Sequence, residues 1–204
     1  MTALDKNLHP VFNQILGRSD KEKLLGQHAR VIWMTGLSGS GKTTIARNVE
    51  MELTKRGFLT HILDGDNVRT GINNNLGFSD EDRFENIRRI SEVSNLFVNC
   101  GIICINSFIS PTNEIRDMAK DVIGKENFIE VFINAPIDVC EKRDVKGLYK
   151  KARKGEIKNF TGIDSSFDVP ETPDIELNTD ELSIEESVAK SLKVILPIIE
   201  YKQH

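Results

Sequence analysis

The chain is predicted to be an α/β domain built on a parallel five-stranded sheet with helices on both faces. Two observations predict this. Short, mostly apolar runs recur at residues 30–35, 58–63, 102–107, 128–133 and 174–177, the pattern of strands buried on both sides. Amphipathic stretches of helical length separate them, and that alternation builds a parallel sheet. Residues 1–28 are polar and weakly periodic, so they are expected to form an N-terminal arm with one short helix. Residues 29–204 then form the single folded domain.

The elements have readable ends. Gly57 follows Lys55-Arg56, and Gly101 follows Asn99-Cys100; both suit the residue just past a helix C-terminus. Ser79 with Asp82 resembles a capping box opening a helix near Asp80, and Ser183 with Glu186 does the same for the last helix. In that last helix, expected over 183–201, Val188, Leu192 and Ile195 form one apolar stripe, and Pro197 is expected to kink or end it. Trp33 reads as core, and His61 as a packed or edge residue rather than a ligand.

Composition narrows the function classes. Of 204 residues, 39% are hydrophobic and 28% charged, an ordinary soluble profile. No apolar run approaches the ~18 residues of a membrane span. The start of the sequence does not read as a secretion signal, so a cytoplasmic location is expected. A net charge of −4 argues against a general nucleic-acid binder. Cys100, Cys104 and Cys140 are an odd number and sit among apolar residues, so reduced, buried thiols are expected.

The chemistry begins at 36–44, GLSGSGKTT. Gly-x4-Gly-Lys-Thr between a strand and a helix is the phosphate cradle of a P-loop NTPase. Gly36, Leu37, Ser38, Gly39, Ser40 and Gly41 supply inward-turned N–H groups, and the helix N-terminus adds partial positive charge. Lys42 reaches the β/γ phosphates, Thr43 joins a magnesium shell, and Thr44 continues the cradle into the helix. A nucleoside triphosphate with Mg2+ is therefore expected. A GTPase would need Asn-Lys-x-Asp, which is absent; the Asp-x-x-Gly at Asp144–Gly147 lies in a basic segment away from a strand end.

A second stretch, 63–69, LDGDNVR, closes the second apolar run. Ligands of open parallel sheets gather outside the carboxyl ends of the strands, so Asp64 and Asp66 should face the same crevice as the cradle. One of these acids can hold magnesium through water, the other can accept a proton from an attacking hydroxyl, and Arg69 can grip an anion. Taken alone, the stretch also suits an Asp-Gly turn capping a helix. Downstream, 76–89 reads LGFSDEDRFENIRR. Arg83 and Asn86 lie three apart on a helix, Arg88 and Arg89 extend the basic content, and Phe78 can stack on a base. FISP at 108–111 sits at a third strand end. Residues 143–158 carry seven Lys or Arg against two acids. That segment is either a solvated basic helix or a mobile lid over anionic ligands.

These motifs, with CEKRDVKGLYKKARKGEIKNFTGID at 140–164 and the stretch Pro170 to Pro173, resemble the adenylylsulfate kinase (APS kinase) family over roughly residues 31–177. The resemblance implies phosphorylation of the ribose 3′-hydroxyl of adenosine 5′-phosphosulfate (APS) by ATP, giving 3′-phosphoadenosine 5′-phosphosulfate (PAPS) and ADP, in sulfate assimilation. It implies that Asp66, Asn67, Arg69, Phe78, Arg83, Asn86, Ile109, Ser110, Lys146 and Phe160 bind APS, with Phe78 and Phe160 sandwiching the adenine. Arg143 is expected near the ATP end, and the lid over about 143–162. It implies Asp64 for the magnesium role and Asp66 for the proton role. Lys42, Asp64, Asp66 and Ser110 are the catalytic candidates, Ser110 as a binder more than a phosphate carrier. The resemblance also implies a homodimer, with an ATP sulfurylase on another chain supplying APS. The sequence departs from the family pattern at Thr70, where a histidine is usual, and at Ser166-Phe167, where Pro-Tyr is usual. Two other readings remain: a different small-molecule kinase, for a nucleoside monophosphate or a sugar, and an idle nucleotide-binding regulator.

Overall fold

A computed structural model describes residues 8–11 and 14–202. The expected arm therefore lies partly outside the described residues. From residue 18 on, the element order is α1 (Arg18–Leu25), β1 (Val31–Thr35), α2 (Lys42–Lys55), β2 (Thr60–Asp64), α3 (Gly65–Arg69), α4 (Asp80–Asn99), β3 (Ile103–Ser107), α5 (Asn113–Ile123), β4 (Phe128–Asn134), α6 (Ile137–Arg143), α7 (Leu148–Arg153), β5 (Ile175–Asn178) and α8 (Ile184–Ile199), with a one-turn 3-10 helix before β4. The five strands form one sheet in the order β2-β3-β1-β4-β5, and all pairings are parallel.

β1 shows why the sheet is covered twice. All five of its residues are buried. Ile32 and Met34 face a layer formed by α2 and α8, with Ile45, Val49, Leu53, Val188, Leu192 and Ile195. Val31 and Trp33 face the opposite layer of α4 and α5, with Ile87, Ile90, Ile115 and Ala119. Alternate residues thus serve opposite cores, and each buried aliphatic chain contributes about 1.5–3 kcal/mol. The stripe on α8 is borne out, and so is core placement of Trp33, which is 0% exposed. His61 is exposed on edge strand β2 and stacks on Phe97 at 4.8 Å.

Both helix stops form as expected. Gly57 and Gly101 have φ of 88° and 79°. Phe58 N–H donates to Leu53 O and Gly57 N–H to Thr54 O, a double closure repeated by Ile102 with Phe97 and Gly101 with Val98. The first closure moves the start of β2 from 58 to Thr60, because Phe58 is spent on ending α2. Ser183 and Glu186 form a full capping box. The expected box at Ser79 is only half made: Ser79 Oγ accepts from Asp82 N–H, but the Asp82 carboxylate turns to Gly77 N–H at 3.0 Å.

Three expectations need correction. Cys100 is exposed, at the C-cap of α4, while Cys104 and Cys140 are buried. Burial pushes the Cys104 thiol up to about 12, which leaves it inert at neutral pH. Of the two outcomes expected for Pro197, kinking or ending α8, the ending fails, because α8 runs on to Ile199; near a C-terminus the proline disturbs only one remaining turn. Finally, the basic segment is not a single helix. α6 stops at Arg143, a turn follows, and α7 is six residues long. Its apolar side, Tyr149 and Ala152, forms a third cluster with Ala135, Cys140 and Phe160. Lys150, Lys151, Lys154 and Lys158 are exposed. Among the described residues, no helix is long and apolar enough to cross a membrane.

Candidate active site

The strand order turns at β1. β3 lies on one side of it and β4 on the other, so a crevice opens beyond the carboxyl ends of these strands. The segments leaving β1, β2, β3 and β5 all reach this crevice.

The loop between β1 and α2 fits only glycine at two positions. Gly36 has φ of 148°, and a Cβ there would lie 2.4 Å from Ile133 O; Gly39 has φ of 75°, and a Cβ would lie 2.9 Å from Cys140 O. Gly41, also with positive φ, is the N-cap of α2 and offers no side-chain cap. The first N–H groups of α2 are thus left for an anion. Lys42 is buried inside the loop, where its ammonium donates to Gly36 O at 2.9 Å and Leu37 O at 2.8 Å. Two of its three protons are used there, and one remains for a phosphate oxygen. Burial pushes its pKa down to about 8; Lys146 adds to this, and Cys140, Asp64 and Asp66 oppose it.

The loop is braced from behind. Arg143 approaches Ser40 O at 3.3 Å and Gly39 O at 3.4 Å and donates to Thr179 O at 2.6 Å. Thr179 Oγ1 donates to Ser40 O at 2.7 Å, and Tyr149 OH to Ser38 O at 2.9 Å. Arg143 therefore lies against the cradle. Thr179 and Tyr149 escaped the sequence reading. Thr179 directly follows β5, so the strand-end rule that found Asp64 also points to it. Nothing local marks Tyr149.

Beside the cradle, Thr43 Oγ1 donates to Asp64 Oδ2 at 2.8 Å and lies 3.3 Å from Ser107 Oγ. Asp64 also caps α3, its Oδ1 accepting Asp66 N–H at 3.1 Å. The capping turn and the carboxylate site are one structure. Thr43, at the start of α2, and Asp64 and Ser107, at the ends of the neighbouring strands β2 and β3, are hard oxygen donors, a set that fits a magnesium ion sharing its shell with water and phosphate.

The second half of the site is built from α3, α4 and the 143–162 segment. Asp66 projects into solvent and forms an ion pair with Lys146. Asn67, next to it, is exposed. Arg69 donates to Leu76 O at 3.1 Å and Gly77 O at 2.7 Å and lies 4.4 Å from the Phe78 ring centre. Phe78 is 65% exposed, an open aromatic face; Phe160 is only 8% exposed and meets Tyr149 edge-on at 4.9 Å. Arg83 donates to Thr161 Oγ1 at 2.7 Å and to Asn159 O, one residue either side of Phe160. Asn86 shares its helix with Arg83 but is buried, with its amide oxygen accepting from Asn73 Nδ2 at 3.0 Å. Arg88 and Arg89 instead pair with Glu85 at 2.7 Å, and their hydrogen bonds pull its carboxyl down to about 2. Arg89 also donates to Ile72 O at 3.1 Å and Asn75 Oδ1 at 2.8 Å, so the two arginines are engaged by α4 and the loop before it.

The loop after β3 closes the circle. Ser110 is buried with φ of 38°, a left-handed conformation that costs a non-glycine residue about 1–3 kcal/mol. Its Oγ accepts from Trp33 Nε1 at 3.0 Å and donates to Thr35 Oγ1 at 3.1 Å. Thr35 also donates to Ile109 O at 2.6 Å. The Ser110 hydroxyl is thus tied on both sides, an arrangement suited to shaping a loop more than to attack.

A parallel sheet in this order, a Gly-x4-Gly-Lys-Thr cradle at the end of β1 and a carboxylate at the end of β2 define a P-loop kinase. The comparisons sharpen that class. A family model described as adenylylsulphate kinase matches residues 28–178. An adenylyl-sulfate kinase of Bacteroides thetaiotaomicron is 62% identical over 97% of this chain and 99% of its own length. One from Thermodesulfovibrio yellowstonii is 51% identical over 91% of this chain and 92% of its own length. Among solved structures, a Mycobacterium tuberculosis APS kinase in complex with AMPPNP and APS superposes with a TM-score of 0.80 at 44% identity, covering 83% of this chain and 98% of that one. The chain belongs to the adenylylsulfate kinase family.

Proposed function

We infer that this chain is an adenylylsulfate kinase working by a single displacement: the γ-phosphoryl group of ATP passes to the ribose 3′-oxygen of adenosine 5′-phosphosulfate, leaving ADP and PAPS. The observation that carries this reading is the juxtaposition at one sheet edge. Thr43, at the start of the cradle helix, lies 2.8 Å from Asp64, and the Asp66 amide is bonded to the same carboxylate. Donor phosphates on the cradle and an acceptor hydroxyl beside Asp66 would meet at this edge.

Phosphoryl transfer has a loose transition state with charge on peripheral oxygens, so catalysis is mostly positioning and charge neutralisation. The N–H groups of 36–44 and the Lys42 ammonium hold the triphosphate. Thr43, with Asp64 through water, would hold a magnesium ion, which when bound neutralises charge between the β and γ phosphates. Asp66 orients the 3′-hydroxyl and takes its proton. Phe78 offers a stacking face for the acceptor's adenine, worth about 1–3 kcal/mol. Arg69 already touches that ring, so the cation beside the base can reach the phosphosulfate. Asn67, Ile109 and Ser110 form the far wall. Lys146 and Arg83 bind the 143–162 segment to this half of the site, and the exposed Asp66–Lys146 pair is weak enough in water to exchange for substrate contacts. We take that segment to be a lid whose movement admits APS and lets Phe160 take the second face of the adenine, with Asn86 supporting the wall behind. A homodimer is carried from the family resemblance, and a cytoplasmic location from the reading of the sequence.

The test is ADP release from ATP and Mg2+ with and without adenylylsulfate, with the product read by phosphorus NMR. ADP formation that requires adenylylsulfate, with a new phosphomonoester on the 3′-oxygen, is expected. Equal release without acceptor, or faster release with a sugar or a nucleoside monophosphate, would refute the reading.

A further inference from the structure

The loop carrying Ser110 and the chain leaving the 143–162 segment run side by side, and one buried guanidinium joins them. Arg116, on α5, is 1% exposed. Its Nη1 donates to Ser110 O at 2.8 Å, and its Nη2 to Asp168 O at 2.7 Å and to Asn113 Oδ1. Its Nε lies 3.1 Å from Glu130 Oε1 on β4. Shorter links run in parallel: Asp168 N–H donates to Pro111 O at 2.8 Å, and Asn113 N–H to Asp168 Oδ2 at 3.1 Å. The strap is fixed again further on, where Glu130 N–H donates to Asp174 Oδ2 at 2.7 Å.

A buried ion pair is a poor way to gain stability, because apolar side chains of the same volume do as well. What an arginine adds is a rigid fork that reaches carbonyls of two separate segments at once. Here those segments are the left-handed Ser110 turn and the strap after the lid. The cradle, by contrast, is braced by Arg143, Thr179 and Tyr149, none of which contacts Arg116.

We propose that Arg116 is a positioning residue for the acceptor, fixing the Ser110 loop and the downstream anchor of the lid as one unit while leaving the donor cradle untouched. This rests on the reading that Ser110 and the lid form the adenylylsulfate side of the site. The fork sets the backbone of the wall and the point from which the lid swings, without touching either nucleotide.

Arg116→Lys keeps a charge opposite Glu130 but cannot reach both carbonyls. Steady-state kinetics at a temperature where thermal unfolding shows the variant folded should give an acceptor KM about tenfold higher and an ATP KM within about twofold of wild type, the size expected for a lost buried hydrogen bond. Equal rises in both constants, or a lower Tm with an unchanged acceptor KM, would overturn the proposal. If Arg116→Lys does not fold, Asp168→Ala decides: it removes the carboxylate bond to Asn113 N–H and the negative charge facing Arg116, and keeps the backbone carbonyl that the guanidinium holds. A selective rise in acceptor KM of about threefold supports the proposal, and an absent or unselective change overturns it. Wild-type protein in the same assay tests the function separately: no adenylylsulfate-dependent turnover there would refute the functional reading, whereas unselective variants beside an active wild type refute only the role of Arg116.

Discussion

Lys42→Ala is expected to lower ATP-dependent turnover by roughly 10²–10³-fold, the cost of losing one preorganised charge from a phosphoryl-transfer site. The fold should survive. The ammonium is bonded only to carbonyls of its own loop, and removing a buried charge also removes its desolvation cost. Burial holds the Lys42 pKa down at about 8, and this adds a pH signature. A triphosphate favours the charged ammonium. Below pH 8 the lysine is already protonated and affinity is flat. Above pH 8 each binding event takes up a proton, so ATP affinity should fall by about tenfold per pH unit until the pKa of the complex is passed. Calorimetric titration of ATP in buffers of different ionisation enthalpy checks this. Proton uptake above pH 8 is expected in wild type and none in Lys42→Ala. Turnover retained in Lys42→Ala would refute the cradle assignment.

Asp66→Asn is the second large effect. The side chain is exposed, and its ion pair is with Lys146, so stability should change by less than about 1 kcal/mol. If Asp66 takes the proton of the 3′-hydroxyl, kcat should fall by roughly 10²–10⁴-fold, with the ATP KM unchanged. Rapid-quench single turnover separates the chemical step from product release. A drop in the chemical step below about fivefold would leave Asp66 only the task of holding Lys146, with no role as a base.

The sequence made some layers of this molecule readable and hid others, for physical reasons. β1, β3 and β4 are buried on both faces, so their apolar runs are nearly continuous and their places were plain. The start of β2 slipped because Phe58, apolar and beside a glycine, closes α2 instead of pairing in the sheet. The cradle was readable because Gly36 tolerates no Cβ and Gly41 holds a positive φ of 106°, constraints that act through residue type and spacing alone. The acceptor side was less so. Helical spacing put Arg83 and Asn86 on one face, yet the cation reaches the lid and the amide is buried on Asn73, which lies on a loop that spacing does not register. Arg88 and Arg89 added positive charge to the reading, but Glu85 at i−3 and i−4 takes both. Arg116 and Tyr149 act through tertiary contacts between distant segments, and no local pattern marks such residues. Ser107 and Thr179 are different. They sit at strand ends, where a stricter use of the carboxyl-edge rule finds them.

The proposed chemistry is one direct transfer between two nucleotides held at a single sheet edge. Its most direct test uses ATP made chiral at the γ-phosphorus with oxygen isotopes, turned over with adenylylsulfate, and the configuration of the transferred group read on the product. Inversion is the predicted result, because one in-line displacement inverts phosphorus. Retention would mean two displacements and a phosphorylated residue of the enzyme in between, and would contradict the account.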